Sequence, residues 1–126
     1  MLAVPRLDSA ASDSALVTKA LVRAADKLRL TNKVLARIVG VSEATVSRMK
    51  KGGYPLEAAQ KPFQLAVLFI RLYRSLDAIT GGDDAVSASW LTNPNVALDG
   101  APIDLVQSVS GLMNVVNYLD ARRALV

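Results

Sequence analysis

The chain contains neither cysteine nor histidine in its 126 residues. That absence excludes disulfide staples, a zinc site built on cysteine or histidine, a Ser–His or Cys–His catalytic pair, and a histidine pH switch. Lacking cysteine, the chain says nothing about its redox compartment, because a disulfide-free protein tolerates either one. Aromatic residues are scarce at 5%, while apolar residues make up 52% and are mostly Ala, Leu and Val. This composition describes an ordered helical globule rather than a disordered chain or a β-sandwich. Alternating strand patterns, internal repeats and low-complexity tracts are missing as well. The expected fold class is therefore all-α. A chain of this length buries about two-thirds of its unfolded surface, which suits one domain, or two very small ones sharing a core.

Long apolar runs are also lacking. The most apolar segment, Phe63 to Ile79, is interrupted by Gln64, Arg71, Arg74, Ser75 and Asp77, and its longest unbroken run is Leu65 to Ile70. A membrane-spanning helix needs about 20 apolar residues, so no membrane partner is expected. The start, Met1 to Asp13, carries Pro5, Arg6 and Asp8 and has no apolar run of signal-peptide length. The expected location is the cytoplasm.

Each half of the chain is short of one sign of charge. From Lys19 to Lys51 there are nine basic residues (Lys19, Arg23, Lys27, Arg29, Lys33, Arg37, Arg48, Lys50, Lys51) against Asp26 and Glu43, a net +7. From Ser75 to Ala121 no basic residue occurs, against Asp77, Asp83, Asp84, Asp99, Asp104 and Asp120, a net −6. One basic and one acidic half suit two different partners, although solvated helix faces alone produce such asymmetry too.

Residues 1–12 are expected as a loose leader. Ser12 or Asp13 is placed to cap a first helix ending near Leu28. Thr31 is placed to cap a short helix over Asn32 to Val39. Gly40-Val41-Ser42 then makes a turn, and Ser42 caps a third helix from Glu43 to about Lys50. Gly52-Gly53-Tyr54-Pro55 breaks the chain. A long helix follows from Lys61 or Pro62 to about Thr80. It is apolar nearly all round, which predicts a central position or a subunit interface. A short helix follows from Asp83-Asp84 to about Leu91, then two turns at 92–95 and 99–102. Pro102 opens a helix to about Ser110, and Gly111 separates it from a last helix reaching Arg122 or Arg123. These breaks suggest a basic unit over 13–60 and a second over 61–126.

In the basic unit, Ala36 is small where two helices must approach, and Gly40 can take the positive φ of a tight turn. Val39, Val41, Val46 and Met49 supply the apolar contacts of the crossing. Glu43, Ala44, Thr45, Ser47, Arg48, Lys50 and Lys51 remain outward. The segment resembles the helix-turn-helix of the Xre/Cro family of bacterial and phage regulators. The resemblance implies that the third helix enters the major groove of double-stranded operator DNA. By position, Glu43, Ala44, Thr45 and Arg48 would face bases, Arg48 being suited to guanine. Thr31, Asn32, Lys50 and Lys51 would meet phosphates, which position without specifying. Glu43 departs from the Gln or Arg the family often carries there, and a carboxylate accepts from cytosine N4 but repels phosphate.

In the second unit, Trp90-Leu91, Pro94-Asn95, Leu98, Gly100, Pro102 and Asp104-Leu105 form a compact series of anchors and turns. This series resembles the Xre/MbcA/ParS toxin-binding domain, whose glycine-broken helix pair follows the same turns. Together the two resemblances imply an antitoxin that blocks a RES-domain toxin acting on NAD⁺ and represses its own promoter. By analogy the last helix covers the toxin's nucleotide site, which singles out Asn114, Asn117, Tyr118, Asp120, Arg122 and Arg123. No cofactor or metal site is implied. Asp83-Asp84 and Asp99 are explained by capping and turn formation, and the Gly-Gly steps lack the lysine and serine of a phosphate loop. The chain therefore reads as a non-enzyme.

Two other readings fit the same residues. One is a stand-alone repressor whose second module dimerises or binds a ligand. The other is a protein-binding antidote whose helix-turn-helix no longer contacts DNA. The apolar circumference of residues 63–79 further predicts a homodimer, which would present two half-sites to a palindromic operator.

Overall fold

The computed structural model describes residues 4–125, with side chains from Asp13 onward. Among the described residues it forms seven helices and no strand. The first, α1 (Val4–Lys27), begins well ahead of the cap predicted at Ser12 or Asp13, so residues 4–12 are helical rather than a loose leader. After Pro5, which a first turn tolerates, nothing up to Lys27 breaks a helix. Residues 1–3 lie outside the described residues. The end of α1 is tied by Leu30 N–H donating to the Ala25 carbonyl and Arg29 N–H to Asp26. Arg29 takes a left-handed φ of 60° there, a place glycine usually fills.

α2 (Asn32–Val39) and α3 (Glu43–Lys50) form as their caps dictate. The Thr31 hydroxyl accepts from Val34 N–H at 3.2 Å, and Ser42 accepts from Thr45 N–H at 3.0 Å. Gly40 sits at φ 76° between them, and its N–H closes α2 on Ala36. A Cβ in that left-handed region is strained, so the turn favours glycine.

α4 (Lys61–Ile79) is the spine, packing on α1, α2, α5 and α7. Its Leu65, Ala66, Phe69, Leu72 and Leu76 are buried within the chain, and Phe63, Leu68, Ile70, Tyr73 and Ile79 are half-buried. The single chain thus encloses most of a helix whose apolar circumference predicts a partner. The one exposed large apolar side chain of α4 is Val67, 44% exposed, which lines a cleft with Leu16 of α1. Tyr73 donates to Asp84 at 3.3 Å, joining α4 to α5 (Asp84–Thr92). Burial, and then Asp77 and Asp84, hold its hydroxyl above the ordinary tyrosine pKa.

One core runs without interruption from Leu21 through Val46, Phe69 and Leu91 to Leu119. Its buried polar groups are matched. Thr18 donates to the Ser14 carbonyl and accepts from Leu56 N–H, and Ser87 shares a hydrogen bond with Thr80.

The last third differs from its sequence expectation. Pro102 does open a helix, but α6 (Pro102–Leu105) is only four residues long, and α7 (Val109–Arg123) begins at a cap on Ser108. Gly111 is no separator. It lies in the first turn of α7, where its N–H donates to Ser108 Oγ at 3.1 Å. A Cβ there would fall onto the Leu105 carbonyl, 2.7 Å from its carbon. Glycine serves the close approach of α7 to α6, a requirement invisible to helix periodicity.

Candidate functional site

Two surfaces carry the polar chemistry. On the first, α3 turns Glu43, Ala44, Arg48 and Lys50 outward, with Lys51 following at its C-cap. Thr45 departs from the outward placement predicted for it, being only 8% exposed. Its hydroxyl is engaged within the fold, accepting from Ser42 Oγ at 2.9 Å and from Arg48 Nη2 at 3.2 Å. Lys50 donates to Asn32 Oδ1, joining the end of α3 to the start of α2, where Thr31 is the cap. Neither salt bridge found among the described residues, Lys27–Asp84 and Arg71–Asp120, involves these cations. Their charge therefore faces outward as a positive field. Tyr54, passed over in the sequence as part of a breaker, stands 5.6 Å beneath the Arg48 guanidinium. An aromatic residue next to a basic helix was the only signal the sequence offered for it.

On the second surface, the six residues predicted on α7 divide. Asn114, Asn117, Arg122 and Arg123 are exposed, and Tyr118 is half-buried. Tyr118 stacks on Trp90 at 6.3 Å between centroids, and Arg122 lies 5.8 Å from the Tyr118 ring. Trp90, Tyr118 and Arg122 thus form a ladder across α5 and α7, which sequence spacing alone did not suggest. Asp120 is turned the other way. Its carboxylate accepts from the buried Ser75 hydroxyl at 2.9 Å and pairs with Arg71, holding α7 to α4. Arg123 lines a cleft with Arg71 and Arg74, apart from the ladder. Arg37 reaches Gln107 at 3.5 Å, the one side-chain hydrogen bond from α2 to this half among the described residues.

Two family models match the chain. That of the antitoxin Xre-like helix-turn-helix domain covers residues 9–71, half of the chain, and contains the whole of the first surface. The chain belongs to the Xre-type antitoxins. A model of the antitoxin Xre/MbcA/ParS C-terminal toxin-binding domain covers residues 75–124, including the Trp90–Tyr118–Arg122 ladder. No curated protein matches the antitoxin. The two matches meet within α4, so one helix serves both parts of the antitoxin and carries their shared core. Neither family is a family of enzymes. No described helix of the antitoxin is long and apolar enough to cross a membrane.

Proposed function

We propose that this antitoxin neutralises a RES-domain toxin that degrades NAD⁺, through its C-terminal half, and represses its own operon by binding operator DNA through α3. The observation that carries this is the pairing, in one chain, of a toxin-binding domain with a helix-turn-helix whose outer face is basic. The RES identity rests on the family resemblance alone.

The test is co-expression with the adjacent open reading frame, co-purification, and measurement of cellular NAD⁺. A toxin that co-purifies, with NAD⁺ falling only when the antitoxin is missing, is the expected result. Asn114, Asn117, Tyr118 and Arg122 are the proposed toxin contacts, with Arg123 at their margin and Asp120 supporting α7 from behind. Replacing both Tyr118 and Arg122 by alanine weakens the complex by at least about tenfold, as for stacked aromatic and arginine anchors. If nothing binds and NAD⁺ is indifferent, a stand-alone repressor is left, its second module dimerising or binding a ligand.

At the DNA, Arg48 meets a guanine, Glu43 and Ala44 face neighbouring bases, and Thr31, Asn32, Lys50 and Lys51 meet phosphates. Arg48→Ala therefore costs about tenfold to a hundredfold in operator affinity and relaxes one base position. Lys50→Ala weakens all duplexes alike and lowers the salt slope by about one. Titrations of operator and scrambled duplex at several salt concentrations separate these outcomes. No loss from Arg48→Ala removes the recognition-helix assignment, and leaves the antitoxin acting on its protein partner alone.

A homodimer is the proposed state on DNA. Leu16, 64% exposed, and Val67, 44% exposed, line one cleft between α1 and α4 and offer a second copy apolar surface. Light scattering should report a dimer that Leu16→Glu converts to monomer. A wild-type monomer, both alone and on DNA, would remove this part of the proposal.

A further inference from the structure

An arginine on an exposed helix ordinarily samples many rotamers, and ordering it against a base costs free energy at the moment of binding. Arg48 is held before any ligand arrives. On one side Thr45, one turn earlier on α3, accepts a hydrogen bond from its Nη2 at 3.2 Å. On the other, the Tyr54 ring lies 5.6 Å from the guanidinium carbon. Both supports are themselves fixed. Thr45 is buried and bonded by the Ser42 hydroxyl that caps α3. Tyr54 is held from both directions along the chain. Before it, Gly53 N–H donates to the Arg48 carbonyl at 3.1 Å. After it, Leu56 is buried, and its N–H donates to the buried Thr18 hydroxyl of α1 at 2.8 Å. Tyr54 is 40% exposed, so filling the core is not its main work.

We infer that Tyr54, with Thr45 behind it, is a positioning residue that presets the Arg48 guanidinium for bidentate recognition of a guanine, so that it raises discrimination between sequences rather than general affinity for DNA. The inference rests on the operator-binding reading above and deepens it. A guanidinium already facing the groove loses less freedom on meeting O6 and N7 of guanine, and that gain exists only where the guanine is present. The aromatic face supplies the support through its negative quadrupole, which phenylalanine shares.

The experiment titrates a duplex taken from upstream of the antitoxin's own coding region, and a scrambled duplex of equal length. Wild type, Tyr54→Phe, Tyr54→Leu, Arg48→Ala and the Tyr54→Leu/Arg48→Ala double variant are compared over a range of salt. Nuclear magnetic resonance of the free proteins follows the ring-current shift of the Arg48 Nε proton. Tyr54→Leu should lower affinity for the upstream duplex by about fivefold, leave the scrambled duplex and the salt slope unchanged, and abolish the ring-current shift. Tyr54→Phe should behave as wild type, and Tyr54→Leu should add nothing once Arg48 is alanine. An equal loss on both duplexes, a loss that persists without Arg48, or a Tyr54→Phe defect matching that of Tyr54→Leu would each overturn the assignment. A preference of the wild type that Tyr54→Leu leaves untouched overturns it alone. A wild type with no preference, its Arg48 shift intact, overturns the operator-binding reading and the inference with it.

Discussion

Replacing Gly111 by alanine should destabilise the antitoxin by about 3 kcal/mol, at the upper end of overpacking costs, and lower its melting temperature by roughly 10 °C. The sign is the informative part. Inside a helix, glycine to alanine ordinarily stabilises by about 0.5–1 kcal/mol, through backbone entropy and helix propensity. Here the new Cβ would meet the backbone carbonyl of Leu105, 2.7 Å from its carbon, and backbone cannot rotate aside as a side chain can. α7 must then move off α6, taking Tyr118 away from Trp90. Gly53→Ala is the matched control, since a Cβ there meets nothing within 4 Å, and it should change stability by less than about 0.5 kcal/mol. Thermal melts followed by Trp90 fluorescence decide the matter. A Gly111→Ala protein as stable as wild type would show that α6 and α7 are not held at this distance.

Phe69→Ala should cost about 3–5 kcal/mol, a large part of the roughly 5–15 kcal/mol that holds a domain together. Phe69 is 0% exposed on α4, within the core shared by the helix-turn-helix and the C-terminal helices. Its loss should therefore lower the stability of both parts at once. Far-UV circular dichroism reports all the helices, while Trp90, the only tryptophan, reports the C-terminal part. Both midpoints should fall together in denaturant, as two-state unfolding of one unit requires. Val86→Ala, on α5 at 50% exposure, should be close to neutral. Midpoints that separate in the Phe69→Ala protein would mean that the two parts fold independently.

That shared core explains which features the sequence made legible. Caps and turns are short-range, so Thr31, Ser42 and Gly40 announced α2 and α3 to the residue. The span of α4 was readable from its apolar run between Pro62 and Gly81. The early start of α1 was missed because a cap at Ser12 or Asp13 looked stronger than uninterrupted helical sequence. The break between α6 and α7 was missed because Gly111 invites reading as a punctuation mark. Thr45 and Asp120 show the same limit at the functional surfaces. A hydroxyl on the third helix and a carboxylate on the last look outward on a helical wheel. Their partners Arg48 and Ser75 show otherwise, and Ser75 lies 45 residues from Asp120.

The sequence by itself determined the all-α class, the helix-turn-helix with its caps and basic face, and the family pattern from Trp90 to Leu105. All of these depend on residues within a few positions of one another, where backbone preference and side-chain capping act without the rest of the chain. Only the tertiary structure decided that one helix carries both parts, that Asp120 is committed to Ser75 and Arg71, and that Tyr54 lies under Arg48. Those outcomes depend on the angle and distance at which separate elements pack, and side-chain volume across a whole core sets them, beyond the reach of any local pattern.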